Sequence, residues 1–224
     1  MITVHHLDHS RSQRVLWILE ELEVPYEIVT YQRDPKTMLA PESLTKVHPL
    51  GKSPVLVDGD KVVAESGAIL EYLLETYGNG KLVPAKGTQA YLDYRYFMHY
   101  AEGSLMPYLL LSLVFAKLKT APAPFFVKPI MKKISSTLTE LIVEPNIKRH
   151  LGFLAKHLET NKWFAGDELT AADIQMSYAI DALVTRAQQL GVSQKIVDLA
   201  DRMHARPAYQ RAVAKGGPVM PDFE

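Results

Sequence analysis

The sequence predicts a small α/β domain followed by an all-α domain. Strand-like and helical patterns alternate in the first part of the chain, whereas from about residue 88 onward the apolar residues recur only at helical spacing. A short stretch rich in proline and glycine separates the two parts. We therefore place the first domain at residues 1–82, a linker at 83–88 and the helical domain at 89–224.

The first domain opens with a strand, a helix and a second strand. Residues 2–6 are short and β-branched, which is typical of a strand. Apolar residues recur at helical spacing over residues 12–23, and Pro25 ends this run. Residues 26–31 return to strand character, so a βαβ unit is predicted.

A hairpin and a further helix complete the domain. Residues 54–57 and 61–64 flank Asp58, Gly59 and Asp60, and the Asp-Gly pair supplies the positive φ angles of a tight hairpin turn. A helical stripe follows from Ile69. The order βαβ and then ββα joins a parallel pair to an antiparallel hairpin, which predicts a four-stranded sheet.

The second domain is predicted to contain long helices and no strand. Thr170 and Asp173 have the spacing of a capping box, and Leu169 can pack onto Ile174 as a hydrophobic staple. Prolines at 122 and 124 mark a loop between the first two helices. The helical patterns cover residues 91–119, 126–158, 171–190 and 193–204.

Composition excludes several classes of function. The chain of 224 residues has 25 basic and 25 acidic side chains, and this balance argues against a nucleic-acid or anionic-membrane partner. It has no cysteine, so disulfides, zinc–cysteine sites and a protein thiol nucleophile are excluded. No secretory signal and no long uninterrupted apolar segment is found, and a cytoplasmic location is therefore expected.

Four motifs together resemble the cytosolic glutathione S-transferase family, in particular its serine-type bacterial and fungal members. They are LDHSRSQRVLW at 7–17, PLGKSPVL at 49–56, ESGAI at 65–69 and GDELTAAD at 166–173. The resemblance spans nearly the whole chain in order and spacing. It implies a thioredoxin-like first domain that binds glutathione, a helical-bundle domain that forms the electrophile pocket, a homodimer, and no cofactor besides glutathione as co-substrate.

Glu65 and Ser66 stand where the hairpin ends and a helix begins. Exposed amides and a hydroxyl at a helix N-terminus favour an anion, here the γ-glutamyl carboxylate of glutathione, and Glu65 could pair with its ammonium group. The alternative for Ser66 is an N-cap that satisfies a free helix amide.

Lys52 and Ser53 precede Pro54 at the start of a strand. The resemblance implies a cis bond between Ser53 and Pro54, which would free the Ser53 backbone to pair with the cysteinyl residue of glutathione as an added strand does. Many members of the family have an aliphatic residue in place of Ser53. Lys52 could reach the glycyl carboxylate, and its alternative is a solvated surface lysine.

Ser10 is the first candidate for the group that stabilises the thiolate of glutathione. It ends the first strand, and Arg14 lies four residues on, as in the serine-type members of the family. One hydrogen bond to a charged acceptor contributes about 1.5–3 kcal/mol, enough to lower a thiol pKa without a base. Ser12 is the competing candidate, and either serine could instead be a cap or turn residue. An ion pair is expected for Arg14.

The electrophile pocket is assigned by resemblance to His9, Met106, Tyr108 and Leu111, of which Tyr108 is preferred because its phenol could reach a polar electrophile. Apolar stripes of this kind also occur in ordinary cores. No metal site is predicted, since neighbouring histidines in the first strand point to opposite faces.

The leading interpretation is a glutathione transferase that conjugates the thiolate to small hydrophobic electrophiles in detoxification. Two alternatives stay open at this point. One is a glutathione-dependent peroxidase or disulfide reductase, in which both sulfurs belong to ligands. The other is a glutathione-transferase-like binding or regulatory protein without catalysis.

Overall fold

A four-stranded mixed sheet forms the centre of the first domain in the computed structural model, which describes residues 1–220. Strand β1 pairs in parallel with β2 and antiparallel with β3, and β3 pairs antiparallel with β4, giving the order β2-β1-β3-β4. The predicted βαβ-ββα order is confirmed. The elements are β1 (Ile2–Leu7), α1 (Gln13–Leu22), β2 (Tyr26–Tyr31), β3 (Val55–Asp58), β4 (Lys61–Ala64) and α2 (Ser66–Tyr77), with a short 3-10 helix at Glu42–Lys46.

The hairpin between β3 and β4 is present, but its turn differs from the predicted one. The two loop residues are Gly59 and Asp60, and of these only Gly59 has a positive φ, of 62°. Asp58 pairs with Lys61 as the last residues of the two strands. The glycine therefore occupies the first central position, where a type II′ turn requires it.

The second domain is helical, as predicted. A chain segment of eleven residues joins Tyr77 to Gln89 and contains the predicted linker. The helices are α3 (Gln89–Tyr100), α4 (Met106–Thr120), α5 (Lys128–Leu138), α6 (Glu144–His157), α7 (Ala171–Arg186), α8 (Gln194–His204) and α9 (Pro207–Gly216).

Two of the long predicted helices are interrupted by a π turn. One, at Ala101–Leu105, joins α3 to α4, and the other, at Thr139–Val143, joins α5 to α6. Each π turn stands directly before a helix with proline as its second residue, Pro107 and Pro145. Proline has no N–H and its ring crowds the carbonyl four residues earlier, so the wider turn accommodates it without ending the helix.

Helix α9 was not predicted from the sequence pattern, and it packs against α1. Arg211 forms an ion pair with Glu20 at 2.7 Å, and Arg206 forms a bidentate ion pair with Glu21. Gly216 ends the helix in a space that has no room for a side chain, since a Cβ atom there would lie 2.6 Å from Oε1 of Gln13. The last described helix is thus fixed to the first helix of the chain.

The capping box at the start of α7 has the predicted form. The carboxylate of Asp173 accepts hydrogen bonds from the Thr170 amide at 2.8 Å and from the Phe164 amide at 2.7 Å. Leu169 and Ile174 are both buried in the core, as a staple requires. Burial raises the pKa of Asp173 to about 6, against the opposing effect of its hydrogen bonds.

The run of helix at 89–120 is long and apolar enough to cross a membrane, judged by length and composition only. Its most apolar window is 22% buried within the fold. Of this run, α3 lies in the core through Tyr94, Phe97, Met98 and Tyr100, whereas in α4 Met106 and Leu109 are buried.

Replacing Asp173 by alanine is expected to destabilise the fold by about 2–5 kcal/mol, because the amides of Phe164 and Thr170 lose their acceptor inside the core. Chemical denaturation followed by circular dichroism measures the change. Asp167→Ala, at an exposed acid three residues before the cap, should change the free energy of unfolding by less than about 0.5 kcal/mol. Equal effects of the two substitutions would contradict the prediction.

Candidate active site

The loop between β1 and α1 holds its two serines in a buried hydrogen-bond cluster. The hydroxyl of Ser10 lies 2.8 Å from the Leu7 carbonyl and 2.7 Å from the hydroxyl of Ser12, and it accepts from the Ser12 amide at 3.2 Å. Ser10 and Ser12 are both buried. Ser12 is the residue before α1, but its hydroxyl makes no capping bond to the helix amides.

His6 connects this cluster to the end of α9. Its Nδ1 atom lies 2.8 Å from the hydroxyl of Ser12, and its Nε2 atom lies 2.8 Å from the carbonyl of Gly216. A carbonyl only accepts, so Nε2 donates and, in the neutral ring, Nδ1 accepts from Ser12. Burial lowers the pKa of His6, which favours this neutral form, although the bond to Gly216 opposes the shift.

The cluster therefore directs the hydroxyl hydrogen of Ser10 into the protein. Its two nearest acceptors, the Leu7 carbonyl and the Ser12 oxygen, both lie inside the loop. Ser12 is fully buried and turned toward His6. For either serine to donate to a ligand, its hydroxyl has to turn away from the partner it has here, and Ser10 is the less deeply buried of the two.

A buried arginine joins the N-terminal ends of α1 and α2 to the helical domain. Nη1 of Arg14 donates to the hydroxyl of Ser66 at 3.1 Å and to Oε1 of Glu102 at 2.6 Å, while the guanidinium lies 5.8 Å from the ring of Tyr178. Arg11 pairs with the same carboxylate at 3.0 Å. Since both guanidinium groups are charged, this cluster carries a net charge of +1 beside the serine loop. The ion pair predicted for Arg14 is present.

Ser66 and Glu65 begin α2. Ser66 is the first helical residue and is buried, and the N-cap position belongs to Glu65, so the alternative role of Ser66 as the cap is not the one observed. The bond from Arg14 occupies one lone pair of the Ser66 oxygen. Glu65 is exposed and has a positive φ of 71°. A non-glycine residue in this region of φ is uncommon and often marks a functional site.

The bond between Ser53 and Pro54 is cis, as the resemblance implies. The Ser53 hydroxyl donates to the carbonyl of His5 at 2.8 Å and accepts from the amide of Leu7 at 3.1 Å, so it links the end of β1 to the segment before β3. These two hydrogen bonds give the serine at this position a structural role. Ser53 lies outside the helices and strands. Within residues 1–220, neither its amide nor its carbonyl forms a hydrogen bond with another backbone group.

Lys52 and His9 border the same region. Lys52 is exposed, and in the described part of the chain it forms no salt bridge within 4 Å. His9 is half-buried with a positive φ of 47°, and its Nδ1 atom is buried without a hydrogen-bond partner among residues 1–220. Arg33 donates to the His9 carbonyl at 3.2 Å and braces the loop from outside.

The other three residues predicted for the electrophile pocket lie on α4, in the helical domain. Met106 is buried in the core, Leu111 is half-buried against it, and the ring of Tyr108 lies 5.5 Å from His150. None of them lines the large cavity of the helical domain, which measures about 1060 Å³. Its apolar walls are Leu109, Leu113, Ala116, Val143, Ile147, Ala182, Leu190 and Met220.

Among residues 1–220, no group of three or more histidine, aspartate or glutamate side chains is arranged to hold a metal ion. His5 contacts Tyr31 at 2.9 Å, whereas the neighbouring His6 belongs to the serine cluster. The two histidines thus face different surroundings, as expected for adjacent residues of a strand.

Comparison with known families identifies both halves of the chain. Residues 1–75 match the glutathione S-transferase N-terminal domain, and residues 119–214 match the glutathione S-transferase C-terminal domain. A glutathione S-transferase 3 from Schizosaccharomyces pombe is 40% identical over 196 residues, which are 87% of this chain and 78% of that protein.

The chain belongs to the glutathione S-transferase family. The resemblance, the enzyme class and the fold class predicted from the sequence are thereby confirmed.

Solved structures agree with this assignment. A glutathione S-transferase from Actinobacillus pleuropneumoniae superimposes with a TM-score of 0.78 at 30% identity, covering 96% of this chain and 93% of that one. A family member from Pseudomonas fluorescens Pf-5 with two glutathione molecules bound superimposes with a TM-score of 0.72 at 25% identity, covering 95% and 92%.

Sequence analysis missed three residues that hold the site together, namely His6, Glu102 and Gly216. Each acts across a long distance in the chain, and Glu102 and Gly216 belong to the helical domain. The one local signal is the position of His6 at the end of β1, directly before the serine loop.

Replacing His6 by leucine is expected to lower the free energy of unfolding by about 1–3 kcal/mol above pH 6.5, because the half-buried Gly216 carbonyl and the buried Ser12 hydroxyl both lose their partner. In the parent, the pKa of His6 is lower in the folded protein than its value of about 6.5 in the unfolded chain, so the unfolded chain binds more protons at acidic pH. The stabilisation by His6 is therefore complete above about pH 6.5 and is lost as the pH falls through the lowered folded pKa.

Denaturation curves recorded over a pH series check both statements. The difference between the parent and His6→Leu should shrink as the solution becomes acidic, whereas His99→Leu, at an exposed histidine of α3, should leave the parent's pH profile in place. A constant difference across the series would contradict the assigned hydrogen bonds.

Proposed function

We propose that this protein conjugates the thiol of glutathione to hydrophobic electrophiles, with Ser10 stabilising the thiolate. The observation that carries the proposal is the Arg14 bridge, which ties the start of α1, with its serine loop, to the start of α2 at Ser66. Family membership and the glutathione-bound relative from Pseudomonas fluorescens support glutathione as the ligand.

The groups available fit the three parts of glutathione. Ser66 and the amides at the start of α2 suit the γ-glutamyl carboxylate, and Glu65 suits the neighbouring ammonium. The free backbone of Ser53 suits the cysteinyl residue, which would pair as a short strand with the segment that precedes β3. Lys52 suits the glycyl carboxylate.

Thiolate formation requires the Ser10 hydroxyl to turn toward the sulfur. Turning away from Leu7 or Ser12 costs about 0.5–1.5 kcal/mol, and the new bond to a charged acceptor contributes about 1.5–3 kcal/mol. The surplus lowers the thiol pKa by about one unit from its free value of about 8.5. The net positive charge of the Arg11, Arg14 and Glu102 cluster acts in the same direction.

The thiolate then attacks the electrophilic carbon and forms a carbon–sulfur bond, while the leaving group departs with its electron pair or, in an addition, the substrate takes up a proton. We assign the electrophile to the mouth of the helical-domain cavity rather than to Met106 or Leu111. Leu109 lines this cavity and lies seven residues after Glu102, so this part of the wall is about 10 Å along the helical run from the charged cluster. His9 could contact the ligand at the serine loop.

The finer predictions from the sequence belong to the same proposal. They are a role in detoxification, a homodimer, a cytoplasmic location, and glutathione as co-substrate with no other cofactor. Substrate assays separate conjugation from the two alternatives, because a reductase would act on disulfides or peroxides, and a binding protein would take up glutathione without turnover.

Ser10→Ala is expected to raise the pKa of bound glutathione by about one unit and to lower kcat/KM by about tenfold at slightly acidic pH. The difference in kcat/KM between the parent and Ser10→Ala should become smaller at alkaline pH, where the thiol of glutathione ionises without a hydrogen bond from Ser10. Ultraviolet absorbance of the thiolate and the rate with an activated chloronitrobenzene, each followed over pH, measure the two effects.

Ser10→Thr keeps the hydroxyl and should retain most of the activity, and Ser43→Ala provides a control at an exposed serine. If the thiol pKa of bound glutathione and kcat/KM were the same in Ser10→Ala as in the parent, the role of Ser10 would be refuted. A larger effect of Ser12→Ala on the thiol pKa would transfer that role to Ser12.

Lys52→Gln is expected to weaken glutathione binding by about two- to fivefold, since an exposed ion pair contributes up to about 1 kcal/mol. The same substitution should leave the binding of γ-glutamylcysteine unchanged, because that dipeptide lacks the glycyl carboxylate. Ser66→Ala should weaken both ligands by about tenfold or more, as it removes a buried hydroxyl. Calorimetric titration measures all four affinities.

Lys46→Gln, at an exposed lysine of the 3-10 helix, should bind both ligands as the parent does. Equal losses of both ligands in Lys52→Gln would show that Lys52 does not contact the glycyl end.

A further inference from the structure

The hairpin formed by α4 and α5 concentrates positive charge in a chain that is neutral overall. Residues 103–139 contain five lysines and no acidic residue. The lysines are Lys117, Lys119, Lys128, Lys132 and Lys133, all exposed, and no ion pair among residues 1–220 involves any of them. We call residues 106–138 the cationic hairpin.

The same hairpin exposes large apolar side chains. Phe125 and Phe126, at its tip, are 85% and 65% exposed. Ile130 and Ile134 follow one helical turn apart on α5, and Leu110 and Val114 do so on α4. In α5, Ser135 is the one buried residue, and it is held by a hydrogen bond to the Phe115 carbonyl. This surface is therefore not part of the core.

Charge and apolar surface together are typical of a helix that lies in the interface of an anionic membrane. Lysines bind lipid phosphates and carboxylates, while aromatic and branched aliphatic side chains enter the boundary of the acyl chains. The long lysine stems can reach the headgroups from the flanks of the helix.

Two other occupants fit these observations less well. A second copy of the chain, placed on the hairpin by two-fold symmetry, would set lysines against lysines with no acid on the same surface to neutralise them. A nucleic acid would use the lysines and could stack on the phenylalanines, but it offers no apolar medium for Ile130 and Ile134.

We propose that the cationic hairpin docks this protein on the surface of an anionic phospholipid membrane. The tip phenylalanines enter the interface, and the lysines contact the headgroups. The contact is peripheral, because α3, the other half of the same helical run, is buried in the core through Phe97 and its neighbours. A spanning segment would need about 20 residues in lipid. The proposal goes beyond the catalytic one and does not depend on it.

The test is co-sedimentation of the full-length protein with vesicles of phosphatidylcholine alone and of phosphatidylcholine with phosphatidylserine, at low and high salt. Binding is expected to the anionic vesicles, to weaken at high salt, and to be lost from the neutral ones. Phe125→Ser with Phe126→Ser should lower the partition coefficient by about tenfold or more. Lys132→Gln with Lys133→Gln should lower it by about 25-fold, at roughly fivefold for each lysine.

Lys61→Gln with Lys195→Gln is the matched control, since it makes the same change of net charge at exposed lysines outside the hairpin. This control should retain nearly all of the parent's vesicle binding. Circular dichroism and glutathione affinity of every variant check that the fold is kept, and neither hairpin pair belongs to the proposed catalytic site.

Four results would overturn the proposal. They are no binding to anionic vesicles at low salt, hairpin variants that bind as the parent does, an equal loss in the control, and a hairpin substitution that changes the oligomeric mass in the absence of lipid. The last result would assign the surface to contact between copies of the chain. Binding of single-stranded DNA without binding of vesicles would assign it to nucleic acid.

Discussion

The buried guanidinium of Arg14 is the contact on which the active-site region depends. A charge fully removed from water is stable only with close partners, and here the partners come from α2 and from the helical domain. Ser66 and Glu102 therefore have to take fixed positions around α1. The serine loop directly precedes α1, so the same contact sets where the loop lies relative to both domains.

A second constraint acts on the loop from the opposite side. His6 donates to the last helix of the described chain and accepts from Ser12, which in turn contacts Ser10. The serine that we assign to the thiolate thus belongs to a network that ends in the helical domain. In the proposed mechanism Ser10 exchanges one of its present acceptors for the charged sulfur, and a hydrogen bond to a charged acceptor contributes more than one to a neutral acceptor.

The two domains contribute surfaces of different character. The first domain provides hydroxyls, backbone groups and charges that suit a small polar peptide. The helical domain provides an apolar cavity and, further out, a cationic hairpin with exposed aromatic residues. If both proposals hold, the protein would work beside a membrane surface, where hydrophobic electrophiles accumulate, while its thiol donor arrives from water.

The sequence determined by itself what depends on local periodicity and on contiguous motifs. It predicted the βαβ-ββα order of elements along the chain, the hairpin, the capping box at Asp173 and the family. It also offered Ser10, Lys52, Glu65 and Ser66 as candidate site residues. Each of these predictions depends on a few residues that are neighbours in the sequence. It missed α9, a helix of ten residues that begins at Pro207, and its electrophile-pocket residues Met106, Tyr108 and Leu111 stay a prediction.

Only the tertiary structure decided which groups meet. The Gly216 carbonyl meets His6 across 210 positions, and Glu102 meets Arg14 across 88. The net charge of zero likewise gave no indication of the cationic hairpin, because a net charge does not show how positive and negative side chains are distributed over the folded surface. Side-chain direction and long-range contact arise from packing between elements, and no short stretch of sequence contains that information.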